Sequence, residues 1–448
     1  MTQQQLAERA GVSTRAVSDL ERGINRAPRP NTLSLLADAL SLSDDERERW
    51  TSICEHGSPV DRPQPVTANT PRQLPRPLTS FVGRDDELCV VRDRLTRADT
   101  RLVTLTGPGG VGKTRLALAV VECVEREFAD GVYVVNLAPL TDPALVIPTV
   151  AQSLGVHVAG VQSVQEAIAT WLRHRTVLVV LDNVEHLLAA APEVATLLNL
   201  SPGLTILATS RAPLRINAER EIQVPPLRVP TGDWFSAHDL DRSDAVQLFV
   251  ERAQAVRSSF ALNDANATTI AAICTRLDGL PLAIELAAAR LRLLSPQALL
   301  ARLSHSLPLL VNGPRDAPDR QQTLFDTIAW SYNLLAEPEQ RLFRQLTIFA
   351  GGWTLEAAEA VCDADLNVLA GMSTLIDHNL VRKLVQRGEA SRSSMLETIH
   401  EFGRQRLAEH DEFDAVAGRH LTYVAASIER MNAGLGSHEQ EIWIERLL

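Results

Sequence analysis

The chain has 448 residues, 45% of them hydrophobic and 22% charged, with 44 basic against 55 acidic residues and a net charge of −11. That length supports several compact units, each with its own core, and the acidic balance excludes a surface built overall for polyanions, so any nucleic-acid contact is local. Five scattered cysteines, never in C-x-x-C spacing, point to reduced thiols, and without a charged-then-apolar leader or a long apolar run the expected location is the cytoplasm, with no membrane partner.

In residues 1–55, 4–10 read as a helix, Gly11-Val12-Ser13 as a tight turn and 14–22 as a second helix. Leu6, Ala10, Val17 and Leu20 can face a common core, and Ser13 is a good N-cap. The second helix presents Thr14, Arg15 and Ser18, followed by Arg22 and Arg26, as candidate contacts to base edges and phosphates. Five arginines between Arg9 and Arg29 stand against Asp19 and Glu21, a local charge of +3 in an acidic chain. Arg9 and Glu21 are expected to pair internally. With Leu20-Glu21-Arg22-Gly23 and a later helix over 32–42, the segment resembles a Cro/repressor-type (XRE) helix-turn-helix. Such domains begin with one more helix than precedes the turn here, so the core is expected to lack one wall.

Residues 56–78 hold six prolines and read as a linker. Over 79–232, β-rich runs at 102–106, 132–136, 177–181, 204–208 and, more weakly, 221–224 alternate with helical runs, the pattern of a parallel sheet covered by helices. A helical unit follows over 233–313, and a further mainly helical unit over 314–410 carries a short strand near 380–385. Residues 411–448 read as helices whose apolar positions, Tyr423, Ile428 and Trp443 among them, call for a further partner.

The chemistry concentrates at Gly107-Pro108-Gly109-Gly110-Val111-Gly112-Lys113-Thr114, a complete G-x-x-x-x-G-K-[ST] loop between the first strand and a helix over 113–124. Of the 44 basic residues only Lys113 and Lys383 are lysine, so Lys113 is not a by-product of composition. Gly107, Gly109, Gly110 and Gly112 let backbone N–H groups turn inward around phosphate oxygens. Lys113 brings an ammonium to the β/γ-phosphates, Thr114 a hydroxyl to Mg²⁺, and the helix its positive end. Arg115, next in line, is counted with the nucleotide-binding residues.

Val177–Leu181 is a continuous apolar run ending in Asp182, placed at the carboxyl end of a buried strand where such sheets bind ligands and where it would hold a Mg²⁺-bound water. The alternative role for Asp182 is to cap a helix beginning near Val184. Asn183 cannot accept the proton of an attacking water, so hydrolysis is expected to be slow. Glu185 is the nearest alternative base, or else a solvated glutamate in that helix's first turn. Arg211, delivered by the next strand, can reach a γ-phosphate. Gly279-Leu280-Pro281 sets a glycine at one helix end and a proline at the start of the next. No metal motif of the zinc type is present, since His400-Glu401 lacks a second histidine at the required spacing.

Phe81-Val82-Gly83-Arg84, the loop at 107–114, Leu181-Asp182-Asn183, Thr209-Ser210-Arg211 and Gly279-Leu280-Pro281-Leu282-Ala283 occur in an order that resembles the STAND NTPases, relatives of the NB-ARC regulators, over about 79–410. The resemblance implies a multidomain α/β plus α protein: a P-loop parallel sheet domain followed by helical and winged-helix domains and preceded by a small all-α helix-turn-helix domain. It implies ATP or ADP with Mg²⁺ as cofactors, Val82 and Arg84 beside adenine and ribose, Pro281 near the base, and Arg211 sensing the γ-phosphate. In relatives a Met-His-Asp stretch of the winged helix touches the β-phosphate; the matching stretch here is Met395-Leu396-Glu397, where leucine cannot bond phosphate. The expected function is a nucleotide-switched, DNA-binding transcriptional regulator with slow ATPase activity, an unidentified inducer or partner protein, self-association in the ATP state, and stacked helical repeats beyond the winged helix. The alternative is an ATP-driven signalling or defence scaffold whose N-terminal helices do not read DNA.

Overall fold

The computed structural model describes residues 3–12, 30–40, 79–156, 163–232, 235–240, 242–303, 310, 323–384 and 391–434. It divides into two compact units, Met1–Arg72 and Gln73–Leu448.

In the small unit, α1 (Gln3–Ala10) packs on α2 (Pro30–Ala39). Ala7, Ala10, Leu36 and Ala39 form a core of small side chains, joined by Leu6 and Val12. Gly11 takes a left-handed φ of 66°, which stops α1 and lets Val12 N–H reach back to the carbonyl of Ala7 at 3.0 Å. The second helix of the expected motif, with Thr14, Arg15, Ser18, Arg22, Arg26, Val17, Leu20 and Glu21, lies outside the described residues, as does the whole of the 56–78 segment.

The large unit opens with α3 (Asp85–Leu95), β1 (Leu102–Thr106), α4 (Lys113–Val124) and β2 (Val132–Asn136), then α5 (Val146–Leu154), α6 (Val164–Leu172), β3 (Val177–Asp182), α7 (Ala191–Leu200), β4 (Leu204–Thr209) and β5 (Glu219–Gln223). The five strands form one parallel sheet in the order β2-β3-β4-β1-β5. Helices cover both faces, so β3 is apolar and buried from Val177 to Leu181, and two separate cores form on the two sides. β5, at an edge, has no fully buried residue, and Arg220, Glu221 and Gln223 are exposed. In this register Leu105 pairs with Thr209 and Leu181 with Ala208, so Gly107, Asp182 and Arg211 leave the sheet along one edge.

No helix begins at Val184. Asn183 adopts φ 73°, Val184 N–H bonds the carbonyl of Thr209 at 3.0 Å, and α7 starts only at Ala191, with Pro192 in its first turn. The left-handed residue and the bond to β4 divert the backbone from the helical path. Asp182 therefore caps no helix.

Beyond the sheet come α8 (Asp244–Val256), α9 (Asp264–Arg276), α10 (Pro281–Ala289) and α11 (Pro296–Arg302). After them lie α12 (Leu324–Asn333), α13 (Glu337–Leu346), β6 (Trp353–Thr354), α14 (Leu355–Val361), α15 (Val368–Asp377), β7 (Arg382–Leu384), β8 (Arg392–Ser394), α16 (Glu397–Glu409) and α17 (Phe413–Gly434). β6, β8 and β7 make a small antiparallel sheet in that order. Phe343 and Phe402 meet Tyr332 at ring separations of 5.6 and 5.7 Å, fastening α12, α13 and α16 together. No described helix is long and apolar enough to cross a membrane.

Candidate functional site

The loop after β1 is shaped by its glycines. Gly107, Gly110 and Gly112 have φ of 150°, 76° and 94°, a region side-chain-bearing residues rarely adopt. Gly109 is required for space: a Cβ there would lie 2.5 Å from Thr327 Cγ2 and 2.9 Å from Arg211 Nη1. Gly112 immediately precedes α4, so the loop's N–H groups and the helix's positive end share one concavity. The Lys113 ammonium curls back on the loop, donating to the carbonyls of Gly107 (2.8 Å) and Pro108 (3.1 Å). Burial pushes its pKa down to about 7, although Glu185 and Asp182 pull it up.

Asp182 stands close enough to that lysine for its charge to act on it. Its Oδ1 accepts from Thr114 Oγ1 at 2.7 Å and from Thr209 Oγ1 at 2.6 Å, and Thr209 Oγ1 in turn accepts from Asn183 N–H at 2.9 Å. A hydroxyl from α4 and a carboxylate from β3 thus converge, the hard oxygen donors Mg²⁺ takes alongside phosphate and water. No cluster of three or more His, Cys, Asp or Glu suited to a metal occurs among the described residues.

Arg211 and Glu185 are buried, with Arg211 Nε 3.2 Å from Glu185 Oε1. Glu185 is therefore not a solvated helix-turn glutamate; the missing helix leaves it pointing inward, and the arginine satisfies it. Arg211 Nη1 also donates to the carbonyl of Thr327 at 2.7 Å and to Ser331 Oγ, both on α12. Asn379 Nδ2, after α15, donates to the Arg211 carbonyl at 2.7 Å, and the neighbouring His186 and Trp330 rings meet edge-on at 5.7 Å. One arginine thereby joins the sheet edge to the small antiparallel-sheet region.

A cleft of about 270 Å³ opens beside these groups. Val82, Arg84, Gly109, Gly110, Gly112, Lys113, Thr114, Arg115, Glu185, Arg211 and Pro281 all line it; Gly107 and Asp182 do not, but are hydrogen-bonded to the lining residues Lys113 and Thr114. Arg84, at φ 69° ahead of α3, donates through Nη2 to the Val111 carbonyl at 2.8 Å, while its buried Nη1 has no partner among the described residues. Burial lowers its pKa. Arg115 is spent on the chain entering the domain, donating to Thr79 Oγ1 (2.6 Å) and to the carbonyls of Thr79 (2.8 Å) and Ser80 (2.6 Å). Pro281 opens α10, and the next residue, Leu282, donates its N–H to the Gly110 carbonyl at 3.2 Å, seating α10 on the phosphate loop.

Sequence reasoning missed Arg252 and Glu285, which also line the cleft and pair at 2.9 Å. They stand on α8 and α10, 33 residues apart, in no motif, and only the packing of those helices brings them together. It also left open what Met395-Leu396-Glu397 does. None of the three lines the cleft; Met395 and Leu396 are buried in the core, and the Glu397 N–H is held by Asp278 instead.

The cradle fits a nucleotide on three counts: the positive-φ glycines, the Arg84 donor unpartnered among the described residues, and the Thr114–Asp182 oxygen pair. Residues 1–47 match a family model described as helix-turn-helix, and residues 96–215 one described as AAA domain. Among solved structures, a STAND ATPase with a tetratricopeptide repeat sensor from Pyrococcus horikoshii aligns over 79% of this chain and 46% of its own, at 16% identity and a TM-score of 0.32. An uncharacterized protein of Mycobacterium tuberculosis is 38% identical over 391 residues, 86% of this chain and 95% of the relative. A putative HTH-type transcriptional regulator of the same organism is 39% identical over 78% of this chain, and the regulatory protein AfsR of Streptomyces griseus 30% over 82%. The chain spans only 38% and 36% of those two regulators' lengths. With a helix-turn-helix at its start, a P-loop domain at its centre and a relative matched nearly end to end, the chain belongs to one family with that Mycobacterium tuberculosis protein, a helix-turn-helix domain joined to a P-loop NTPase domain, and is similar over part of their length to the HTH-type regulator and to AfsR.

Proposed function

We propose that this protein is a nucleotide-switched transcriptional regulator that takes ATP or ADP with Mg²⁺ into the cleft and reads DNA through its N-terminal helices. The observation that carries the reading is Arg211, which faces the phosphate end of the cleft while holding Thr327 and Ser331 of α12. Lys113 and the loop N–H groups bind the phosphates, and Thr114 and Asp182 hold the cation, which when bound neutralises phosphate charge. A γ-phosphate competes with α12 for the Arg211 guanidinium. ATP and ADP therefore bind the closed arrangement, the one in which Arg211 holds α12, with different free energies, the one physical requirement of a switch.

Hydrolysis is slow on this reading. Asn183 cannot take a proton, and Glu185, a carboxylate lining the cleft, is committed to Arg211 until that arginine moves. The ATP state then frees surface for self-association, with an inducer or partner protein biasing the exchange. The test is a gel shift of genomic fragments, at several salt concentrations, by protein loaded with ATP, with ADP or with neither. A regulator retains particular sequences over competitor DNA in a nucleotide-dependent way; retention of none in every state overturns the DNA-reading half and leaves an ATP-driven scaffold.

A further inference from the structure

The segment 395–397, which the family resemblance sets at the phosphates, is engaged otherwise here. α16 begins at Glu397, and its N-cap position is Leu396, whose side chain caps nothing. A helix so started leaves its first N–H groups without partners. They find them 119 and 120 positions back in the chain: the Glu397 N–H donates to Asp278 Oδ1 at 3.1 Å, the Thr398 N–H to Oδ2 at 3.0 Å, and Thr398 Oγ1 to Oδ2 at 3.1 Å. A carboxylate at the positive end of a helix is electrostatically favoured as well.

Asp278 is placed for this by its own backbone. It sits at φ 55° after α9, a conformation uncommon for a non-glycine residue, and Gly279 follows at 66°. At Gly279 a Cβ would come within 2.2 Å of the Leu227 carbonyl, so the turn is pinned to the sheet domain. Three residues further on, Leu282 N–H bonds the Gly110 carbonyl of the phosphate loop. The loop, the start of α10, Asp278 and the start of α16 thus form one continuous line of contacts.

We propose that Asp278 is the latch of the closed arrangement, a cap supplied to α16 from the α9–α10 turn, so that closure of the C-terminal helices needs no bound diphosphate. What the latch controls rests on the proposed nucleotide switch; the latch itself does not. Opening then follows displacement of α10 from the phosphate loop, and Leu396 is a core residue rather than a lost phosphate ligand.

Hydrogen–deuterium exchange on the full chain, without nucleotide and with Mg·ADP, tests this. The wild type should protect the peptide covering 396–402 in both conditions. Asp278→Ala should speed its exchange about tenfold or more in both, since one charge-assisted bond alone is on the order of a tenfold change in an opening equilibrium. Asp278→Asn, whose amide turns an N–H₂ toward donors, should lie between, while β1 and β3 peptides stay protected. Leu396→His should leave ADP affinity within about twofold of wild type, because position 396 does not line the cleft. Protection of 396–402 that appears only with ADP, or equal exchange in Asp278→Ala, overturns the latch. Should Asp278→Ala lose cooperative melting, Thr398→Val removes one donor and keeps the carboxylate; exchange about threefold faster supports the proposal, and unchanged exchange overturns it. If calorimetry finds ADP bound by neither wild type nor variants, the nucleotide reading fails, and the nucleotide-free exchange still decides the latch.

Discussion

Lys113 makes nucleotide binding a proton-coupled event. Burial holds its pKa at about 7 against an ordinary 10.5, because the carboxylates near it do not fully offset the loss of water. Bound phosphates supply the missing negative charge and return the ammonium to full protonation. At pH 8, where the nucleotide's own phosphates are ionised, the free protein holds only about a tenth of its Lys113 protonated, so binding takes up about 0.9 proton. At pH 7 the uptake falls to about 0.5. Affinity is therefore fully present below pH 7 and lost as pH rises, nearly tenfold per unit between about pH 8 and 9.5. The protein without ligand runs the opposite way: its unfolded form binds the extra proton between pH 7 and 10.5, so this group's contribution to stability rises with pH across that window. Calorimetric titration with ADP in buffers of different ionisation enthalpy reads the uptake as a slope. A slope of zero at pH 8, a net release, or an uptake that survives in Lys113→Ala refutes the reasoning.

Arg211→Ala strands Glu185 in the interior and is expected to cost about 3–5 kcal/mol in urea unfolding, with Arg211→Gln/Glu185→Gln recovering a large part; a loss near zero for the single variant contradicts the buried pair. Gly109→Ala drives a methyl into Thr327 and Arg211, so limited proteolysis should cut the α12 region faster at a cost of about 1–3 kcal/mol, and an unchanged digestion rate places Gly109 elsewhere. Arg15→Ala should weaken the gel shift uniformly across DNA sequences and lower its salt slope while ATP turnover stays the same; an unaltered shift removes Arg15 from the interface.

The sheet was readable because its signals are local. Strand runs buried on both faces, such as 177–181, are apolar without interruption, and β1, β2 and α4 fall on the residues read from sequence. The phosphate loop was equally plain, since its glycines and scarce lysine are contiguous. β6 and β8 escaped notice because two or three residues carry no period, and β8 reads Arg392–Ser394, polar in sequence yet largely buried in a sheet of three. The site's second half is non-local. Glu185 looked like a helix-turn glutamate because nothing near it in sequence announces that Asn183 turns left-handed. The pairs Arg211–Thr327, Arg252–Glu285 and Asp278–Thr398 join segments 33 to 120 residues apart, and no spacing rule encodes such contacts.

The proposed switch requires a nucleotide seated against Lys113 and Asp182. Isothermal titration of the cooperatively folded full chain with Mg·ATP and Mg·ADP tests that most directly. One site per chain, with affinities that differ between the two ligands and vanish in Lys113→Ala, is the predicted result; uptake of neither ligand by the wild type contradicts it.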